Sequence, residues 1–160
     1  MQMPSSISTR LQYQHKSLLD IIDGLSDDQV HQEVIPGKWS IFQHIAHLSC
    51  YQHVMIDRIK KILDGDAPIL EVYVAEEDPC FPEICNKTTV DVMRELLGTR
   101  KSMAAELNGF AEYDLAKKGV HKTYGEMNLV QCLNFFLLHE AHHLFAIFKL
   151  AAQLKAVATV

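Results

Sequence analysis

Nitrogen donors at helical spacing are where this sequence could do chemistry. His139 and His143 are four positions apart, so on an α-helix their imidazoles rise one turn apart on one face. His47, far upstream, is the third candidate. Neutral imidazole nitrogen is a good ligand for zinc, nickel, iron or copper, and three such ligands leave coordination positions open for water or substrate. On a helical wheel Leu129, Cys132, Phe136, Ile147, Leu150 and Leu154 fall within about 40° of His143. The pair therefore lies inside an apolar stripe, where an imidazole needs a compensating partner. A metal ion is one such partner; a hydrogen bond to backbone or carboxylate is the other.

Glu140 projects about 60° from His143 and borders the same stripe. A carboxylate there could orient a ligand imidazole, bind the ion or move a proton as the catalytic group. The competing reading is an edge residue reaching solvent. His142, about 100° away, shares a side with Gln131, Asn134 and Lys149 and reads as a surface residue.

The helix bearing His47 leaves the choice of ligand open. It also offers His44 and His53, and its stripe of Ile41, Leu48, Met55, Ile59 and Ile62 centres closer to His44. His47 sits at the stripe's edge with Tyr51, so periodicity alone favours His44, as a rival or an additional ligand. His53 falls on the far side. His15, His31 and His121 lack helical partners and take ordinary roles, although His121 shares with Tyr124 a loop that could cover a cavity at the bundle end.

Four amphipathic segments must position these groups. The first is expected from about Ser6 to Leu25, burying Leu11, Leu18, Leu19, Ile22 and Leu25. The second starts after Pro36-Gly37, where Ser40 followed by Gln43 makes a capping box, and continues to Leu63 with a stop near Gly65. The third starts near Thr88 or Thr89 and buries Val90, Met93, Leu96, Leu97, Met103 and Leu107. The fourth runs from Asn128 to about Leu154. Residues 64–87, with Pro68, Pro79 and Pro82, read as a long connection, unusual inside a compact domain. It makes sense if helices two and three lie parallel. Residues 109–127 read as a second irregular stretch. The expected fold is all-α, a four-helix bundle with a long crossover between helices two and three, as one domain over 1–160.

Composition narrows the function. With 15 basic against 20 acidic residues and a formal charge of −5, the chain has the wrong sign for holding a phosphate backbone, so no nucleic-acid partner is expected. No apolar stretch approaches a membrane span and the start lacks the features of a signal peptide, which places the protein in the cytoplasm and off the membrane. The four cysteines are then reduced thiols, Cys50 and Cys132 in the core, Cys80 and Cys85 in a loop.

The segments Gly37-Lys38-Trp39-Ser40-Ile41-Phe42-Gln43-His44-Ile45-Ala46-His47-Leu48 and His139-Glu140-Ala141-His142-His143 resemble the DinB/YfiT-like family. There a Trp-Ser/Thr start of helix two is followed, eight residues after the Trp, by a metal-binding histidine, and helix four carries His-x3-His. Counting from Trp39 lands on His47. The resemblance spans nearly the whole chain. It implies a bundle with parallel central helices, often a homodimer, and a divalent metal, commonly nickel or zinc, held by three histidines with water in the remaining positions. His44 stands where the family usually has an apolar residue.

Two classes of function are compatible with this pattern. One is a metal-dependent enzyme on a small-molecule substrate, a hydrolase or a thiol transferase with a low-molecular-weight thiol as co-substrate; both kinds occur among the proteins it resembles. The other is a non-catalytic bundle for ligand binding or sensing, its metal structural or its site vestigial. It is motivated by the lack of an unambiguous base or nucleophile beyond Glu140 and the loop tyrosines.

Overall fold

The apolar stripes marked by periodicity meet as a helical bundle in the computed structural model, which describes residues 2–157. Met1 and positions 158–160 of the expected domain lie outside the described residues. The first bundle element is not one helix. It is α1 (Ser5–Tyr13), a 3-10 turn at Gln14–Lys16, and α2 (Ser17–Ile22). Ser17 Oγ donates to the Gln14 carbonyl across that turn, at 2.7 Å. Its tighter winding turns Gln14 and His15 inward and re-phases α2, so Leu18 is buried while Leu19, expected in the stripe, is exposed.

After the short α3 (Asp27–His31), α4 (Ile41–Asp64) opens on the expected capping box. Ser40 Oγ accepts the Gln43 amide at 3.2 Å, and the Ser40 amide donates to Gln43 Oε1 at 2.9 Å. The long connection beyond α4 is structured. It holds β1 (Ile69–Leu70), a 3-10 turn at Ala75–Glu77 and α5 (Cys80–Cys85), so Cys80 and Cys85 are helical rather than loop residues.

Helix α6 (Thr89–Leu107) is capped by the Thr88 hydroxyl, which accepts the Asp91 amide. It turns Val92, Leu96, Arg100, Met103 and Leu107 inward; Val90, expected inside, is exposed. Gln52 hydrogen-bonds the Leu96 carbonyl, and farther along Ile56, Ile59 and Lys60 face Met103, Glu106 and Leu107. Residue numbers rise together, so α4 and α6 run parallel, as the long connection required.

Residues 109–127 form α7 (Glu112–Ala116), β2 (Lys118–His121) and most of β3 (Gly125–Asn128), ahead of α8 (Leu129–Val157). β2 pairs parallel with β1, Ile69 opposite Val120, and antiparallel with β3, Lys118 opposite Asn128. Strands of two to four residues are too short to show alternation in sequence. Gly119 locks the small sheet to the bundle: a Cβ there would lie 3.0 Å from Leu70 and 3.1 Å from Ile62. No helix among the described residues is long and apolar enough to cross a membrane.

The core falls into two apolar halves. In one, Ile41–Cys50 of α4 pack with Leu144–Leu154 of α8; in the other, Tyr51–Ile62 pack with Leu129–Leu137. The pairing runs in opposite directions, so α4 and α8 are antiparallel. At the join sits a polar layer of His47, Gln52, Arg100, Glu140 and His143, all buried.

Candidate metal centre

The antiparallel α4 and α8 bring His47 opposite His139 and His143. Nε2 of His47 lies 3.1 Å from Nε2 of His139, and Nε2 of His143 lies 3.2 Å from the same atom. Imidazole nitrogens bound at the usual zinc–nitrogen distance of about 2.0–2.1 Å sit about 2.9–3.4 Å apart at octahedral to tetrahedral angles. The observed separations fall within that range. The donor set, three neutral nitrogens from two rigid helices, thus fits one divalent ion in both chemistry and spacing.

Burial, and then the mutual repulsion of neighbouring imidazoles, holds His47, His139 and His143 down to about 3. All three are therefore neutral at physiological pH, the form a metal requires. As a hydrogen-bonded cluster without an ion the arrangement is poor: His139 Nε2 faces two ring nitrogens at once, while Nδ1 of both His47 and His139 is buried without a hydrogen-bond partner.

His44 is separated from this set by its geometry. Its Nδ1 lies 2.9 Å from Nδ1 of His143, the nitrogen turned away from the cluster. Were His143 Nε2 to offer its lone pair to an ion, Nδ1 would carry the proton and donate to His44 Nδ1, which would fix both tautomers. His44 thus stands behind a candidate ligand. Burial, followed by the charges of His142 and Lys149, lowers it to about 4.

Aromatic rings wall the centre. Trp39, just before the α4 cap, has its ring 5.1 Å from His47 and 6.1 Å from His143, and Phe81 of α5 stacks on its other side at 5.2 Å. Tyr51 lies 4.1 Å from the His139 ring, and Tyr73 lies 5.5 Å from His47. Arg58 Nη1 donates to the Tyr51 hydroxyl at 3.0 Å, holding that ring in place. The crossover, which in sequence looked like a mere connection, supplies Tyr73 and Phe81.

Glu140 does not reach solvent: it is 2% exposed. Arg100, itself 1% exposed, forks onto both its oxygens, and Gln14 Nε2 donates to Oε2 at 2.8 Å. Arg100 Nε donates to Gln52 Oε1 at 2.9 Å. One polar network therefore ties together all four bundle elements, and among the described residues no hydrogen bond joins Glu140 to the three imidazoles. Sequence reasoning missed Arg100, although it falls on the apolar stripe between Leu96 and Met103, where a cation requires a buried partner.

The remaining histidines offer no nitrogen to the cluster, although the His142 ring lies edge-on to His143 at 5.2 Å. His121 is buried beside Tyr124 and Phe135, and its Nδ1 accepts the Thr123 amide at 3.1 Å, so it pins the β2–β3 turn. His53 and His142 are exposed, as expected.

The chain belongs to the DinB superfamily, whose family model matches residues 10–147. Over 125 residues it is 23% identical to a protein of Oceanobacillus iheyensis named "putative metal-dependent hydrolase", covering 78% of this chain and 72% of the relative. Its fold is that of YfiT from Bacillus subtilis, described as a "probable metal-dependent hydrolase with an unusual four-helix bundle topology". The TM-score is 0.79 at 18% identity, over 94% of this chain and 86% of the other.

Proposed function

We propose that this member of the DinB superfamily is a divalent-metal-dependent hydrolase of small molecules, with His47, His139 and His143 as the ligands and nickel or zinc as the ion. The observation that carries the reading is the convergence of three neutral Nε2 atoms, those of His47 and His143 each within 3.2 Å of that of His139. The names of its relatives favour hydrolysis over thiol transfer. A divalent ion in such a site supplies a Lewis acid that lowers the pKa of a water or thiol. The protein's own residues do the rest. His44 holds the His143 tautomer, while Trp39, Phe81 and Tyr51 exclude bulk water and strengthen local electrostatics. Tyr73, with its hydroxyl buried, is a proton-bearing group in the wall beside Tyr51. With both oxygens taken by Arg100 and Gln14, Glu140 is assigned a positioning role rather than the proton transfer considered from sequence.

The homodimer expected from resemblance is retained as part of the proposal. Its support is the exposed stripe of Leu138, Phe145 and Phe148 along α8, an apolar face that a second copy would cover.

Element analysis of tag-free protein tests the centre. The His47→Ala, His139→Ala, His143→Ala variant is expected to hold about one equivalent of ion less than the native chain. Equal metal content in both refutes it. Chelator-sensitive turnover within a panel of esters and amides tests the hydrolase; no turnover by fully loaded protein leaves the non-catalytic bundle as the better reading.

A further inference from the structure

The histidine centre leaves a second cluster of donors unused. One turn past His47 on α4, the Cys50 sulfur faces the crossover, where Asp78 and Cys80 approach it. The two sulfurs and an Asp78 carboxylate oxygen lie within 4.8 Å of one another. Cys50 is buried, and Asp78 and Cys80 are half-buried. Asp78 Oδ1 accepts the Cys80 amide at 2.9 Å, which turns the carboxylate and the thiol of one short segment toward the same point. Among the described residues Asp78 has no ion-pair partner; the nearby cation Lys87 is bound to Glu95 at 2.7 Å.

Two thiols and a carboxylate are an unusual set to place together. Burial, the neighbouring Cys80 thiol and then the Asp78 charge push the Cys50 thiol up, so without a cation the two thiols are neutral and are weak donors to each other and to the carboxylate. A borderline-soft divalent ion resolves this, because thiolate sulfur and carboxylate oxygen are both zinc ligands and three protein donors leave a fourth position for water.

We propose that Cys50, Asp78 and Cys80 form a second cation site, for a thiophilic divalent ion of the zinc class, adjoining the histidine centre. Binding replaces the two thiol protons, which leave to solvent, so the site carries one net negative charge before and after. No electron transfer is involved. The ion would fasten the crossover to α4 and with it Tyr73 and Phe81, the two wall residues that the crossover presents to the histidines and to Trp39.

The test is an anaerobic Cd²⁺ titration of the reduced, chelator-stripped full chain, following the ultraviolet thiolate-to-cadmium charge-transfer band. The band should saturate within two added equivalents, the histidine centre taking up the other ion, and disappear on adding excess chelator. It should persist in the His47→Ala, His139→Ala, His143→Ala variant and vanish in Cys80→Ser, with circular dichroism confirming that each remains helical. A readout without variants is alkylation of the wild-type chain by iodoacetamide, in which Cd²⁺ should slow labelling of Cys80. Absence of the band, its loss with the three histidines, or unchanged Cys80 labelling overturns the proposal. So does a Cys50–Cys80 disulfide in the reduced preparation. Failure of the histidine centre alone would remove only the ion content that does not produce this band.

Discussion

Acid should unfold the metal-free protein above the usual carboxylate range. Besides His121, which burial also lowers, five histidines are held well below their ordinary value of 6.5: His15 and His44 at about 4, and His47, His139 and His143 at about 3. Burial is the leading cause in each. Each is therefore neutral in the folded chain at a pH where the unfolded chain binds a proton. The sign comes from linkage: their contribution is complete above 6.5 and is lost as pH falls toward 3–4. At about pH 5.5 the unfolded chain carries about 0.9 proton on each such group and the folded chain almost none, which sets an upper slope of about 6 kcal/mol per pH unit. Local opening of the site lets some imidazoles charge without global unfolding, so about 4–6 kcal/mol per unit is expected. Against a total stability of about 5–15 kcal/mol, the fold should be exhausted one to two units below the ordinary histidine value. Urea unfolding in chelator, followed by far-ultraviolet circular dichroism at several pH values between about 7.5 and 5, measures the slope directly. A slope below about 1.4 kcal/mol per unit over that window, one proton or fewer, would refute the reasoning.

Three further outcomes are expected. His44→Leu removes the acceptor behind His143 without touching the three converging nitrogens, and should weaken metal affinity about 10–100-fold; Trp39, the single tryptophan, lies against His44, His47 and His143, so quenching of its fluorescence by Ni²⁺ reports the change, and unaltered affinity would reduce His44 to a packing residue. Arg100→Ala leaves Glu140 buried and unpaired and should cost about 3–5 kcal/mol, whereas Arg100→Met with Glu140→Leu should recover much of it; chemical denaturation of both separates the network's desolvation cost from its attraction. Gly119→Ala forces a methyl against Leu70 and Ile62 and should destabilise by about 1–3 kcal/mol in thermal unfolding, since the contacts are with packed core side chains.

Where the sequence spoke clearly, one physical signal acted alone. The α4 start was legible because a capping box is local: Ser40 and Gln43 satisfy each other's amides whatever surrounds them. His139 and His143 were legible because α8 meets the bundle through one stripe. Periodicity favoured His44 over His47, and it is a weak guide there because α4 has no single buried face where they sit. Every residue from Ile45 to Gln52 is buried, enclosed by α3, α5, α6 and α8, and a helix buried all round gives a wheel nothing to point at. The Trp39 spacing, which comes from the family resemblance, selected His47; in the structure the indole packs against His44, His47 and His143 alike. Val90 and Leu19 were misplaced for the opposite reason, an apolar residue costing little at the surface.

Glu140 shows what a single helix cannot disclose. Its angle from His143 is a property of α8, but its role depends on a residue of α6 forty positions earlier and one of the 3-10 turn before α2. Arg100 is the second half of that statement. A guanidinium on an apolar stripe requires an anion within the bundle, and Glu140 on the border of another stripe requires a cation; taken together, the two anomalies answer each other. The same logic separates the polar layer into two functions. The Arg100–Glu140–Gln14–Gln52 network closes on itself, with its charges neutralised and its donors spent, and so fixes how the four elements register. The three imidazoles do not close: their nitrogens converge without enough protons to satisfy one another, which is the condition under which a buried cluster is built for something it binds.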